Sequence, residues 1–321
     1  MTESLREPGS PTLGDFLEYR PFQGKLRGPS YAIWAIGRTG LGLLFRRKLF
    51  WGLYLMGLIL FFLYFFGQYL LVWAGSQDFG QSIRIGPFGR IPRKELIDTL
   101  RTMLKMDGSP TMFHNFFQTQ GSIVMVLFAL AGAQLVGNDF RFRSFPFYFS
   151  KPIGPLHYLL GKGLAAAVLL NLLTTIPALL LFFQAWFLGD WSWNMEKIRL
   201  LFSILGYGAV LTWGLVPLLL ASASGLTRTI PIAMFWIFCF LFLRGISEGL
   251  VDRLGYAANW KTIDLWNDLG MVGSRILGIA DEAKNRKTKP EFMVVLAIVT
   301  VIPLLSLAYL RMRLSKVEVL R

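Results

Sequence analysis

Charge is scarce along this chain. Only 16% of its residues are Asp, Glu, Lys or Arg, against roughly 25% in a soluble domain. Carboxylates are the scarcest of these, with 19 Asp+Glu against 33 Lys+Arg and a formal charge of +14. Cys239 is the single cysteine, which excludes an internal disulfide. The two histidines, His114 and His157, have no Cys or second His at ligand spacing, so the pattern argues against a zinc or haem site. No G-x-x-x-x-G-K-[ST] loop occurs; Gly161-Lys162-Gly163 lacks both the upstream glycine and the hydroxyl residue. The chain is therefore not expected to hydrolyse ATP by itself, and nothing in it reads as an enzyme.

What is present is apolar length. Hydrophobic residues make up 54%, with 28 Phe and 10 Trp, and the mean hydropathy is +0.50. Neither a water-soluble globule nor a disordered chain has that composition. The expected class is an all-α membrane protein, because a helix satisfies its own backbone where no water is at hand. Six segments are long enough to cross a bilayer at about 20 residues each: 49–73, 121–137, 161–188, 200–222, 230–250 and 292–310. The second is the shortest and is expected to extend back to about Phe116. Pro177, Pro217 and Pro303 fall inside spans and read as kinks.

Basic residues set the expected orientation. Arg46, Arg47 and Lys48 precede the first span, Arg141, Arg143 and Lys151 lie between the second and third, and Arg311, Arg313 and Lys316 follow the sixth. Six spans put all three clusters on one side, the cytoplasmic one, with both termini. The positive charge thus reads as retention of loops at a bacterial-type cell membrane rather than as nucleic-acid binding. Residues 1–48, which open without a signal-peptide pattern, and 311–321 become cytoplasmic segments; 74–120 and 251–291 become outer ones. Lys284, Arg286, Lys287 and Lys289 oppose this orientation, but their longer loop also carries acids.

Three connecting regions carry helical apolar stripes. Tyr31, Trp34, Leu41 and Phe45 suggest an interfacial helix weakened by Gly37, Gly40 and Gly42. Leu96, Ile97, Leu100, Met103 and Leu104 follow Pro92 and stop at Asp107-Gly108. Leu265, Leu269, Val272 and Ile276 form the third stripe. The plain reading of each is packing against the chain's own spans. Within the fifth span, Arg244 and Glu248 stand at i,i+4 and can pair. They read either as a gate or substrate contact, or as a snorkelling arginine held by a carboxylate.

The most informative stretch is 138–162, NDFRFRSFPFYFSKPIGPLHYLLGK. It combines Asp139, Arg141, Arg143 and Lys151 with Phe142, Phe145, Phe147, Tyr148 and Phe149, the mixture typical of a protein-binding hot spot. Pro146, Pro152 and Pro155 divide it into a short element, a turn and a restart.

An acidic residue after the second span, then S-x-P-I-x-x-x-x-Y-L-L-G-K, resembles the membrane subunits of type-2 ABC transporters. The matching residues are Asp139, Ser150, Pro152, Ile153, Tyr158, Leu159, Leu160, Gly161 and Lys162. Ser144-Phe145-Pro146 stands where many members have Gly-Thr-Leu, and the outer loop 74–120 is longer than in compact members. The resemblance implies a permease, of exporter type, that forms a dimer with a second copy or a related permease. It implies cytosolic ATPase partners that bind the ATP and Mg, so that this chain has no cofactor of its own. It implies a cytoplasmic coupling helix between spans two and three, with Asp139 beginning it. Phe142, Arg143, Phe145, Phe147 and Tyr148 would supply its contacts, and Lys151 and Pro152 would aim the third span. The alternative is a structural or force-transmitting membrane subunit with no translocated solute.

Overall fold

The computed structural model describes residues 28–76, 82–84, 90–92, 106–149, 153–188, 195–279 and 289–318. Among them, six helical segments are long and apolar enough to cross a membrane: Lys48–Trp73, Pro110–Arg141, Pro155–Leu188, Met195–Leu226, Thr229–Arg253 and Phe292–Ser315. The second, third and fourth are more than half buried, whereas the first, fifth and sixth are less than a third buried. The middle three thus form the packed centre. Side chains such as Leu55, Ile59 and Leu63 on the first span, and Met234 and Leu241 on the fifth, face outward. An apolar exterior of this kind suits hydrocarbon, where an outward leucine costs nothing.

The chain is a multi-pass helical membrane protein with one small exception. Strands Ser82–Arg84 and Arg90–Pro92 pair antiparallel in the region assigned above to an outer loop. Pro92 therefore closes a strand, and the helix expected after it lies outside the described residues, as do Lys151 and Pro152.

The second span begins earlier than its apolar run indicates. Pro110 takes the first helical position and Ser109 caps it, its hydroxyl accepting from the Met112 N–H at 3.3 Å. Gly108 supplies the left-handed turn before the cap, at φ 76°. His114 makes residues 110–115, ahead of the expected start near Phe116, look like loop in sequence. They are instead helical, because neighbouring helices satisfy the polar side chains here. The Gln120 amide donates to Gly57 O at 2.9 Å, and that of Gln118 to the Tyr207 hydroxyl at 3.1 Å.

The N-terminal helix Pro29–Phe45 also corrects an expectation. Tyr31 and Trp34 are exposed, and the buried residues are Ile36, Gly37, Gly40 and Leu44. Two of the glycines thought to weaken the helix are its packing face. A Cβ on Gly37 would stand 3.2 Å from Gly161 O, and one on Gly40 3.1 Å from Leu135. Missing side chains let the helix lie against the head of the third span, as small residues do between membrane helices. By contrast, Leu265, Leu269 and Val272 of the helix Leu265–Ile276 are buried, in agreement with the plain reading of that stripe.

The third span turns at Thr174, between helices Pro155–Leu173 and Thr175–Leu188, just ahead of Pro177. Pro217 and Pro303 sit inside unbroken helices. Asn171 ties the turn to the fourth span: its amide donates to Thr212 Oγ1 at 2.9 Å and accepts from Thr175 Oγ1 at 2.6 Å. The second span ends in a π-helical stretch, Ala133–Gly137, and the fifth holds two, Phe238–Phe242 and Gly249–Arg253. Such stretches add a residue per turn and often mark functional positions.

Candidate functional site

One end of the bundle gathers the basic clusters. Arg47 Nε donates to Gln134 Oε1 at 3.3 Å, and Arg313 Nη2 to Ser224 O at 2.6 Å. The Arg313 guanidinium also lies 5.4 Å from the Phe140 ring centroid. The ends of the first, second, fourth and sixth spans therefore meet here, around the connection that joins the second span to the third.

That connection leaves the last turn of the second span, Asn138–Arg141, through a turn into a short helix, Phe145–Phe149. Arg143 makes the turn at φ 52°, and the Ser144 N–H donates back to Asp139 O at 3.0 Å. A non-glycine residue in the left-handed region is uncommon and reflects a turn imposed by its surroundings. Gly137 makes the approach possible from behind, since a Cβ there would stand 2.6 Å from Thr227 O.

Asp139 is the centre of the arrangement. Its Oδ2 lies 2.7 Å from Lys162 Nζ and accepts from the Tyr158 hydroxyl at 2.9 Å. Tyr158 and Lys162 are one helical turn apart on the first turns of the third span, so both side chains leave the same face. Lys162 is only 3% exposed and Tyr158 is fully buried. The Lys162 ammonium is also 5.8 Å from the Tyr148 ring and 5.5 Å from the Tyr158 ring. Burial of Tyr148, with the negative charge of Asp139 and a hydrogen bond to it, pushes that phenol up to about 12.

The aromatic residues divide by exposure. Phe145 and Phe149 are one turn apart and stack at 5.9 Å; Phe145 meets Phe140 at 4.7 Å and Tyr158 at 5.4 Å. Leu314 of the sixth span closes this cluster. Phe145 is 2% exposed, whereas Phe142 is 67% and Phe147 is 80% exposed. Asp139 and Phe145 are thus committed inside the chain, and Phe142, Phe147 and Arg143 face outward.

The sequence pattern separates into physical parts. Asp139, Tyr158 and Lys162 clamp the connection to the third span. Gly161 admits the N-terminal helix, since a Cβ there would stand 2.7 Å from the Ile36 Cβ. Tyr148 and Phe140 flank the clamp; Tyr148 stands among the expected coupling contacts, and nothing in the sequence singles out Phe140.

At the other end, Arg244 Nε donates to Glu248 Oε1 at 3.0 Å, with both side chains more than half exposed. The pair therefore forms, but it lies far from Asp139 and shares nothing with it. Gly245-Ile246-Ser247-Glu248-Gly249 has the lettering of a nucleophile elbow, G-x-S-x-G. Its serine sits inside a helix and donates to Arg244 O at 2.9 Å, not on the strand-to-helix turn that the chemistry requires. Among the described residues, no group of three His, Cys, Asp or Glu could hold a metal ion.

No family model matches this chain, and no curated protein matches it.

Proposed function

We propose that this chain is the membrane-embedded permease subunit of an ATP-binding cassette transporter, of exporter type. In this reading a separate cytosolic ATPase docks at the basic end. A second copy or a related permease completes the complex in a cytoplasmic membrane. One observation carries the reading: the turn and short helix between spans two and three present exposed aromatics while being fastened to the bundle from below. Exposed Phe142 and Phe147 suit insertion into a partner, because aromatic anchors bury much area for little lost entropy. The Asp139–Lys162 ion pair and the Phe145 cluster suit the transmission of force. A lever that moves with the third span must not slip on it. The missing nucleotide loop fits a division of labour in which ATP and Mg belong to the partner.

The test is copurification. Phe142→Ala and Phe147→Ala together are expected to lose the ATPase from detergent-purified complexes, while the chain inserts and elutes as before. Truncation of a central anchor costs about 2 kcal/mol or more of binding, enough to weaken the complex some thirtyfold. Retention of an ATPase at an unchanged hydrolysis rate in the double variant would remove the coupling role. An ATPase stimulated only by another protein, never by a solute or lipid, would favour the force-transmitting alternative.

A further inference from the structure

The N-terminal helix Pro29–Phe45 has a second face, exposed rather than packed. Ile36, Gly37, Gly40 and Leu44 turn inward, whereas Trp34, Arg38, Leu43 and, just past the helix, Arg46 are exposed. With Gly42 they line a concavity of about 460 Å³ along the helix. Gly42 stands one turn after Arg38 and one turn before Arg46, so bare backbone separates the two guanidinium-bearing side chains. Gly37 and Gly40 are bare because neighbours press on them, but a Cβ on Gly42 would meet nothing within 4 Å. Packing within the chain therefore does not require this third glycine.

The face is cationic. Residues 28–48 carry Arg38, Arg46, Arg47 and Lys48 and no acid. Residues 1–27 set Glu3, Glu7, Asp15 and Glu18 against Arg6, Arg20, Lys25 and Arg27, and so bring no net charge to offset the helix. Among the described residues neither Arg38 nor Arg46 pairs with a carboxylate. The depth of the helix follows from its junction with the first span. Lys48 opens that span, and Trp51, about a turn further on, donates its indole N–H to Phe45 O at 2.8 Å. Tryptophan beside a basic turn is characteristic of the headgroup level of a bilayer. The helix thus ends where lipid phosphates lie, with Trp34 and Leu43 to meet the acyl boundary and cations to meet the phosphates.

We propose that this face binds the headgroup of an anionic phospholipid, its phosphate received over Gly42 between Arg38 and Arg46. A guanidinium fork matches phosphate oxygens, and the missing side chain at Gly42 leaves the room. The proposal goes beyond the transport reading and needs no ATPase.

The test uses the full chain in a nonionic detergent, titrated with dioctanoyl phosphatidylglycerol and, separately, with dioctanoyl phosphatidylcholine. Binding is followed by amide hydrogen exchange across residues 29–48. Phosphatidylglycerol is expected to slow that exchange saturably and phosphatidylcholine to leave it unchanged, with the effect weakening as salt is raised. Arg38→Gln together with Arg46→Gln should weaken binding by about tenfold or more. Gly42→Leu should weaken it with every charge in place, and because leucine is the better helix former, an unfolded helix cannot be the cause. Elution and thermal stability of both variants should match the parent. The proposal is overturned if the two lipids act alike, if either variant binds as the parent does, or if inorganic phosphate slows exchange as well as the lipid does. Glu3→Gln, Glu7→Gln, Asp15→Asn and Glu18→Gln together should leave the affinity unchanged. A gain of about tenfold or more there would assign the face to the chain's own N-terminal segment instead. Loss of a copurifying ATPase from Gly42→Leu with lipid binding intact would assign it to a protein partner. Because the exchange measurement contains no ATPase, its failure would leave the copurification result at Phe142 and Phe147 untouched.

Discussion

Lys162 sits about two turns into an apolar helix at 3% exposure, a position an ammonium cannot hold without an opposite charge. Asp139 supplies it at 2.7 Å. Removing one partner from a buried pair leaves an uncompensated charge and typically costs about 3–5 kcal/mol, whereas replacing both by apolar residues is often neutral. Asp139→Leu is therefore expected to lower thermal stability in detergent sharply, and Asp139→Leu with Lys162→Met to restore most of it. A double variant no better than the single would show that the pair is not the source of the loss. Asp268 poses the reverse case at the opposite end. It is fully buried, and neither carboxylate oxygen meets a partner at full hydrogen-bond geometry, the Asn267 side chain being only near it. Burial, then the neighbouring charge of Asp264, raises its carboxyl from 3.8 to about 8, against a smaller opposing contribution from Asn267. An acid kept neutral in the fold costs nothing at pH values where the unfolded chain is protonated too. It costs progressively more as pH climbs from about 4 towards 8, at most on the order of 1 kcal/mol per pH unit. Asp268→Asn should match the parent near pH 4 and exceed it by a widening margin up to pH 8 in thermal unfolding. A margin independent of pH would contradict this account.

Elements meet in this protein through absent side chains as much as through present ones. The N-terminal helix reaches the third span because Gly37 and Gly161 lie in their contact, with Ile36 against the second glycine. Gly161→Leu should push that helix off its seat, exposing residues 29–45 to protease and lowering the melting temperature. Gly163→Ala should do neither, because a Cβ there meets nothing closer than 3.8 Å. Equal protease sensitivity in both variants would refute close packing at Gly161 as the cause. The helix Leu265–Ile276 serves two surfaces in the same economical way. Leu265, Leu269 and Val272 bury one face, while Asn267, Gly270 and Ser274 line a cleft with the other.

The whole molecule has two chemically distinct ends. Arg46, Arg47, Arg141, Arg143 and Arg313 stand at one, and the Arg244–Glu248 and Lys261–Asp252 pairs at the other. The basic end is expected to be cytoplasmic. In a Cys239→Ser background, Ala257→Cys should react with an impermeant thiol reagent applied to intact cells, and Ser144→Cys should react only after permeabilisation. The opposite pattern would invert the orientation and detach the aromatic connection from any cytosolic partner. Both positions lie off the spans, so neither substitution disturbs the bundle.

Six spans, their approximate centres and the clustering of basic residues were legible from hydropathy and position alone, because burial in lipid depends on local composition. The helical stripe at 265–276 was legible for the same reason, since helical period alone puts its apolar side chains on one face. The aromatic connection stood out by composition, but not which of its rings turn inward. Phe145 and Phe147 are chemically identical, and only the packing of Phe140, Tyr158 and Leu314 around one of them separates 2% exposure from 80%. The early start of the second span was equally hidden. Ahead of Phe116, His114 has the polarity of a loop residue until Gly270 on another helix satisfies it. Nor could spacing reveal that Asp139 and Lys162, 23 positions apart, share one ion pair. Local pattern determines which segments cross a membrane; long-range satisfaction of polar groups decides where they begin, how they are fastened and which side chains are left facing outward.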